Sequence, residues 1–267
     1  MKYGAMNFPV KPVIEQIEEF AAMGFDYLEL AMDAPFGHYS VIQKQKKDIL
    51  KALDKHRMGL VCHLPTFVYT ADMTESIRNA SLDEMLKSLD VTAELGVSKA
   101  VLHPSIVSGM GNFLTETAGK YAFESFEKIA EKADRKGICL CLENMFPRYK
   151  LLFEPKEFTE VFERFPGFRM TLDTGHANID SKNGKRVLEF ITMFGSRIRH
   201  IHISDNSGKR DDHFPIGKGT VNFHNIIKAL KSIGYKDTFT MEIFTDNRND
   251  LKQSREKFAD MAKELGD

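Results

Sequence analysis

The chain has 267 residues, 42% apolar and 28% charged, a composition that excludes disordered and membrane-spanning classes and is sufficient for one large core. Lysine and arginine total 37 against 38 for aspartate and glutamate, so no global field draws the protein toward nucleic acid or anionic lipid. That balance argues against nucleic acid as a partner while leaving a local groove open.

The first twenty residues, MKYGAMNFPVKPVIEQIEEF, lack the continuous apolar stretch of a secretion signal, and nowhere do about 18 uncharged apolar residues run together. A cytoplasmic protein with no membrane partner is the expectation. An apolar run at 3–6 opens the chain, followed by a helical stripe of Val13, Ile14, Ile17, Phe20 and Ala21. Runs at 27–30 and 60–63 come next, then the stripe Leu82, Met85, Leu86 and Leu89. After a run at 100–103, Phe123, Phe126, Ile129, Ala130 and Ala133 repeat the helical spacing. Runs at 138–143, 169–173 and 198–202 lead into an irregular stretch, 206–222. A last stripe, Ile226, Ile227, Leu230 and Ile233, precedes the final run at 238–242.

Gly24, Gly59, Gly96, Gly137, Gly167 and Gly234 each stand before an apolar run, where a left-handed residue can end a helix. Eight strands alternating with helices predict parallel strands joined by crossovers, most simply a single α/β domain over 1–267 closed as a (β/α)8 (TIM) barrel. An open doubly wound sheet usually announces a nucleotide loop, and neither GxGxxG nor GxxxxGK[ST] occurs. Cys62, Cys139 and Cys141 lie in apolar segments without a CxxC pair, and are expected as reduced core thiols.

The last six runs end, in order, on His63, His103, Glu143, Asp173, His202 and Glu242. Ionisable groups closing apolar strands are expensive to bury unless paired or metal-bound, and strand ends of a barrel form one rim. Alternation of side chains across a strand lets all six converge over the barrel mouth. Any one of them alone reads more simply as a hydrogen-bonded structural residue; the common cause of six is a metal-ready rim. His176, three residues after Asp173, and Asp211 and His213 in the long seventh loop are further ligand candidates, the D-x-H pair pointing one way if that loop is extended. His200 is expected one layer deeper, supporting the rim. His38, His56 and His224 fall outside it.

These residues, in this order, resemble the xylose isomerase-like barrel superfamily, which includes sugar epimerases, inosose dehydratase, hydroxypyruvate isomerase and endonuclease IV. The resemblance spans nearly the whole chain and is most specific at LENM, LDTGHAN, HIHISDN with the following DDHFPIGKG, and MEIF. It implies a divalent ion, Mn²⁺, Mg²⁺, Co²⁺ or Zn²⁺, held by Glu143, Asp173, His202 and Glu242. It further implies that Glu143 and Glu242 act as the proton-moving catalytic pair of a sugar or sugar-phosphate isomerase or epimerase working through an enediolate. His63, His103 and His176 would then bind substrate hydroxyls or further ions, and Lys209, Arg210 and Lys218 would hold a substrate phosphate.

A rival implication comes from endonuclease IV. His63, His103, Glu143, Asp173, His176, His202, Asp211, His213 and Glu242 match its ligand positions by motif, which allows one to three ions and zinc-dependent cleavage of abasic DNA. Against it, the GAHVS-like first strand of that family reads YGAMN here, and Lys218 stands where its LGEG loop has glutamate. A non-catalytic metal- or sugar-binding barrel is the third alternative; retention of both glutamates argues against it. Oligomeric state is not legible.

Overall fold

The computed structural model of the chain describes residues 1–265. Its eight strands are β1 (Lys2–Met6), β2 (Tyr27–Ala31), β3 (Gly59–His63), β4 (Lys99–Leu102), β5 (Cys139–Glu143), β6 (Arg169–Asp173), β7 (Ile198–Ile203) and β8 (Thr238–Met241). Each pairs in parallel with its sequence neighbour, and β8 closes onto β1. The helices are α1 (Val13–Ala22), α2 (Tyr39–His56), α3 (Glu75–Glu94), α4 (Thr115–Lys136), α5 (Glu157–Arg164), α6 (Thr174–Asn178), α7 (Lys185–Phe194), α8 (Phe223–Ser232) and α9 (Asn249–Glu264). One helix follows each strand, with α6 an additional short turn between β6 and α7. The expected closed (β/α)8 barrel is therefore the architecture.

Two cores result from the alternation of side chains. Leu28, Leu30, Leu140, Leu142, Ile201 and Phe239 point outward into one apolar layer shared with Ile17 and Phe20 of α1, Phe126 of α4 and Phe258 of α9. Full burial of such a side chain contributes roughly 1.5–3 kcal/mol. Inside the barrel, Tyr27, Val61 and Val101 form a separate small cluster. At Gly4 on β1 a Cβ would stand 2.2 Å from the Tyr27 ring, so only glycine lets this tyrosine fill the barrel floor. Above Tyr27 the interior turns polar, with Glu29, Thr240 and His200 all fully buried.

Several boundaries differ from expectation. Gly24, Gly96, Gly137 and Gly234 are left-handed, with φ of 78°, 73°, 67° and 67°. Gly59 and Gly167 are not: α2 ends on Arg57, itself left-handed at φ 56°, and Gly59 already belongs to β3. His103 and Glu242 each sit one residue beyond the last strand residue, and β5 starts at Cys139 rather than Ile138. The three cysteines are free; Cys62 and Cys141 are buried, while Cys139 is partly exposed rather than core. No helix among the described residues is long and apolar enough to cross a membrane.

Candidate metal centre

All strands of a parallel barrel point the same way, so the residues that close β3, β5 and β6, with His202 next to last in β7 and His103 and Glu242 just beyond β4 and β8, share one rim. Glu143, Asp173, His202 and Glu242 are each at least nine-tenths buried and offer ligand atoms within 4.8 Å of one another. His202 Nδ1 lies 3.3 Å from Glu143 Oε1, 3.6 Å from Asp173 Oδ2 and 3.1 Å from Glu242 Oε2. Those four atoms are buried and none makes a hydrogen bond. Buried polar atoms are almost always partnered, so four orphaned donors and acceptors facing a common point fit a cation. The set of three carboxylates and one imidazole suits a divalent ion such as Mn²⁺, Mg²⁺, Co²⁺ or Zn²⁺.

Local structure orients each ligand. Asp173 is the N-cap of α6, its Oδ1 accepting the His176 N–H at 2.6 Å, which turns Oδ2 toward the cluster. Asn144 staples the ends of β5 and β6 by accepting the Asp173 N–H at 2.9 Å and donating to the Asp173 carbonyl at 3.0 Å. His202 Nε2–H donates to Glu29 Oε1 at 2.9 Å, leaving Nδ1 as the nitrogen that faces the cluster. Glu29 Oε2 takes a second bond from His200 Nε2 at 2.7 Å and another from the Thr240 hydroxyl. Glu29 is thus a carboxylate buried in mid-strand whose oxygens are both satisfied by side chains of β7 and β8.

Further imidazoles flank this centre on two sides. His63 Nδ1–H donates to the Leu64 carbonyl at 2.9 Å, and its Nε2 lies 3.4 Å from Glu143 Oε2; His103 Nε2 lies 3.0 Å from the same oxygen. On the other side, His176 Nδ1–H donates to the Asn144 carbonyl and His213 Nδ1–H to the Glu242 carbonyl, at 3.0 and 2.9 Å. Their Nε2 atoms then face a single oxygen, Asp211 Oδ2, at 3.3 and 3.0 Å. His213 reaches this position in the left-handed region at φ 49°, not through the extended spacing expected of D-x-H.

Electrostatics reflect the crowding. Burial works to raise the Glu143 carboxyl, but His103 and His202 outweigh it and hold the group well below the usual carboxylate range. Burial likewise opposes charge on Glu29, and His202 and His200 overcome it. Asp173 is raised, burial being the dominant cause. Against burial, Glu29, Glu143 and Glu242 push His202 well above its ordinary value, and Glu242 and Asp211 push His213 up to about 9. The centre therefore demands positive charge, from protons or from a cation.

A cavity of about 410 Å³ opens onto this rim, with His103, His176, Asp211, His213 and Glu242 in its wall. Phe146 packs on His176 and Phe244 on His213, with ring centroids 5.0 and 4.8 Å apart. Of the expected site residues, nine meet here. Lys209, Arg210 and Lys218 do not: all three are exposed, and none lines the cavity. The cause is Asp205, whose buried carboxylate accepts the N–H groups of Asn206, Gly217, Gly219 and Val221 at 2.8–3.0 Å and folds the loop so that 211–213 turn inward. Outside the centre, His38 caps α2 and pairs with Glu84, His56 pairs with Glu18, and His224 is exposed.

With this geometry established, comparison with known proteins places the chain. Residues 17–264 match the family model of xylose isomerase-like TIM barrels. The chain belongs to this family. Within it, a crystal structure of a D-tagatose 3-epimerase-like protein superposes with a TM-score of 0.88 at 26% identity, covering 99% of both chains. An uncharacterized protein of Methanocaldococcus jannaschii is 28% identical over 96% of this chain and 87% of its own length. An L-ribulose 3-epimerase of a Methylomonas species is 27% identical over 88% of this chain and 79% of its own.

Glu29, Asn144 and Asp205 were not among the residues expected at the site. A signal existed for two of them: Glu29 breaks the apolar run YLELA, and Asp205 follows directly on the buried strand HIHIS. Asn144 has no comparable mark, because its role depends on β5 and β6 lying side by side.

Proposed function

We propose that the protein is a divalent-metal-dependent sugar isomerase or epimerase that moves a carbon-bound proton between Glu143, Glu242 and the substrate. The observation that carries this is the meeting of four unpartnered, buried atoms, Glu143 Oε1, Asp173 Oδ2, His202 Nδ1 and Glu242 Oε2, at the edge of a cavity large enough for a small ligand. Two relatives named or titled as sugar 3-epimerases or epimerase-like proteins support the same reading.

Glu143, Asp173, His202 and Glu242 would hold the ion, which when bound lowers the cost of negative charge developing on adjacent carbonyl and hydroxyl oxygens. The chain's own groups do the rest. Glu143 and Glu242 approach the centre from β5 and from beyond β8, strands not adjacent in the barrel, so the two carboxylates can address a substrate carbon from different sides. One removes the proton, and the other returns it to the opposite face or to the neighbouring carbon. His103, His176 and His213 line the cavity where sugar hydroxyls would lie, and the aromatic wall limits water around the exposed carbanion.

The experiment is solvent exchange. Metal-loaded protein incubated in deuterated water with a panel of ketoses is expected to wash deuterium into a carbon adjacent to the carbonyl, and Glu143→Gln and Glu242→Gln are each expected to abolish it. Absence of exchange across the panel, together with incision of abasic-site DNA, would reverse the assignment. A specific feature favours that second reading: His63 and His103 on one side of Glu143, and His176 and His213 around Asp211 on the other, offer ligands for more than one ion.

A further inference from the structure

We propose that the substrate of this site is an uncharged sugar, without phosphate, whose carbon-bound hydrogens lie against an aromatic wall. This rests on the sugar-isomerase reading above and narrows it. Three observations carry it.

First, the cavity wall offers an incoming anion no uncommitted cation of the chain's own: its histidines, His103, His176 and His213, already face the carboxylates of Glu143 and Asp211. Asp33, Asp211 and Glu242 all line the cavity, and among the described residues no lysine or arginine does. Asp33 is only 8% exposed; its Oδ1 accepts the N–H groups of Thr66 and Phe67 at 3.0 and 3.3 Å, which ties the loop after β3 in place and keeps a carboxylate at the end of the cavity formed by the loops after β2 and β3. A phosphate ester carries nearly two negative charges at neutral pH and calls for arginine, lysine or free backbone N–H groups.

Second, the backbone donors of the loop after β7 that converge on one point are already taken. Four N–H groups there, of Asn206, Gly217, Gly219 and Val221, converge as a nest of the kind that binds anions. The occupant is the chain's own Asp205 carboxylate. Barrels commonly place substrate phosphate near the seventh and eighth strand loops, and here that option is filled from within.

Third, about half of the remaining wall residues are aromatic. Phe8, Phe67, Phe146, Tyr149 and Phe244 line the cavity, and Phe67 is 72% exposed although its loop is anchored by Asp33. Aromatic faces are electron-rich and accept the polarised C–H groups on one side of a sugar ring, while they offer a charged ester nothing.

The test compares each ketose with its own terminal phosphate ester in the deuterium-exchange assay, using metal-loaded wild type and Phe67→Arg, a substitution at an exposed position. The neutral sugars are expected to exchange with kcat/KM about 100-fold above their esters, and Phe67→Arg to shrink that ratio at least about tenfold by supplying a cation. Esters exchanging as well as, or better than, the free sugars would overturn this inference while leaving the isomerase reading intact. If neither series exchanges, the isomerase reading fails and this inference falls with it.

Discussion

Glu29 Oε1 accepts the Nε2–H of His202 at 2.9 Å, and this one bond decides which imidazole nitrogen faces the candidate metal centre. Carboxylates that hold a ligand histidine from behind set its tautomer and basicity, and their loss typically weakens metal affinity about 10–100-fold. Glu29→Gln keeps the shape but removes the charge and one of the two acceptors shared by His200 and His202. Chelator competition should show affinity for Mn²⁺ lowered by about that range, with the far-ultraviolet circular dichroism unchanged. Undiminished affinity would leave Glu29 with no orienting role.

The barrel floor depends on the absence of a side chain at Gly4. Adding one methyl group, as in Gly4→Ala, puts a carbon 2.2 Å from the Tyr27 ring, which is hydrogen-bonded through its hydroxyl to Thr240 at 2.8 Å and cannot swing away freely. Overpacking of this kind costs about 1–3 kcal/mol. Denaturant unfolding should register a loss in that range, with a knock-on fall in metal affinity because Thr240 also holds Glu29.

At the opposite end of the barrel from the candidate metal centre, Cys139 is set apart from the other thiols. The hydrogen bond from Cys141 is the largest cause, and Arg169, Lys99 and Arg199 add to it against burial; together they bring Cys139 down to about 6. Burial raises Cys62 to about 12. Alkylation of the folded protein should therefore label Cys139 first, with a rate that rises through a midpoint near pH 6. Because the folded value lies below the ordinary one, the associated stability is fully present above the unfolded thiol's range, declines below it, and is lost as pH falls through about 6. Labelling that begins only above pH 8 would contradict this.

The sequence makes the eight strands legible because each is a short apolar run, and the last six of those runs end on ionisable residues that the fold brings to one rim. Glu29 escaped the same logic: it sits in the middle of β2, and attention to strand-final positions passes over a carboxylate that breaks a run of five buried residues. The loop after β7 was legible only as irregular. Lys209, Arg210 and Lys218 look like an anion site in one dimension, but the bonds from Asp205 to Gly217, Gly219 and Val221 decide which side of the loop faces the cavity, and no local pattern encodes bonds spanning 12–16 residues. A helix end differs too. Arg57 takes the left-handed conformation that glycine spacing assigned to Gly59, and the helix closes there through backbone bonds, Arg57 N–H to the Asp54 carbonyl and Met58 N–H to the Leu53 carbonyl.

Glu143, Asp173, His202 and Glu242 are expected to hold one cation between them. Anomalous diffraction from crystals soaked in Mn²⁺ tests it without reference to any substrate. A peak about 2.0–2.3 Å from Glu143 Oε1, Asp173 Oδ2, His202 Nδ1 and Glu242 Oε2, lost in Asp173→Asn, is the expected result. Full-occupancy Mn²⁺ elsewhere on the protein with no density among these four residues would contradict it.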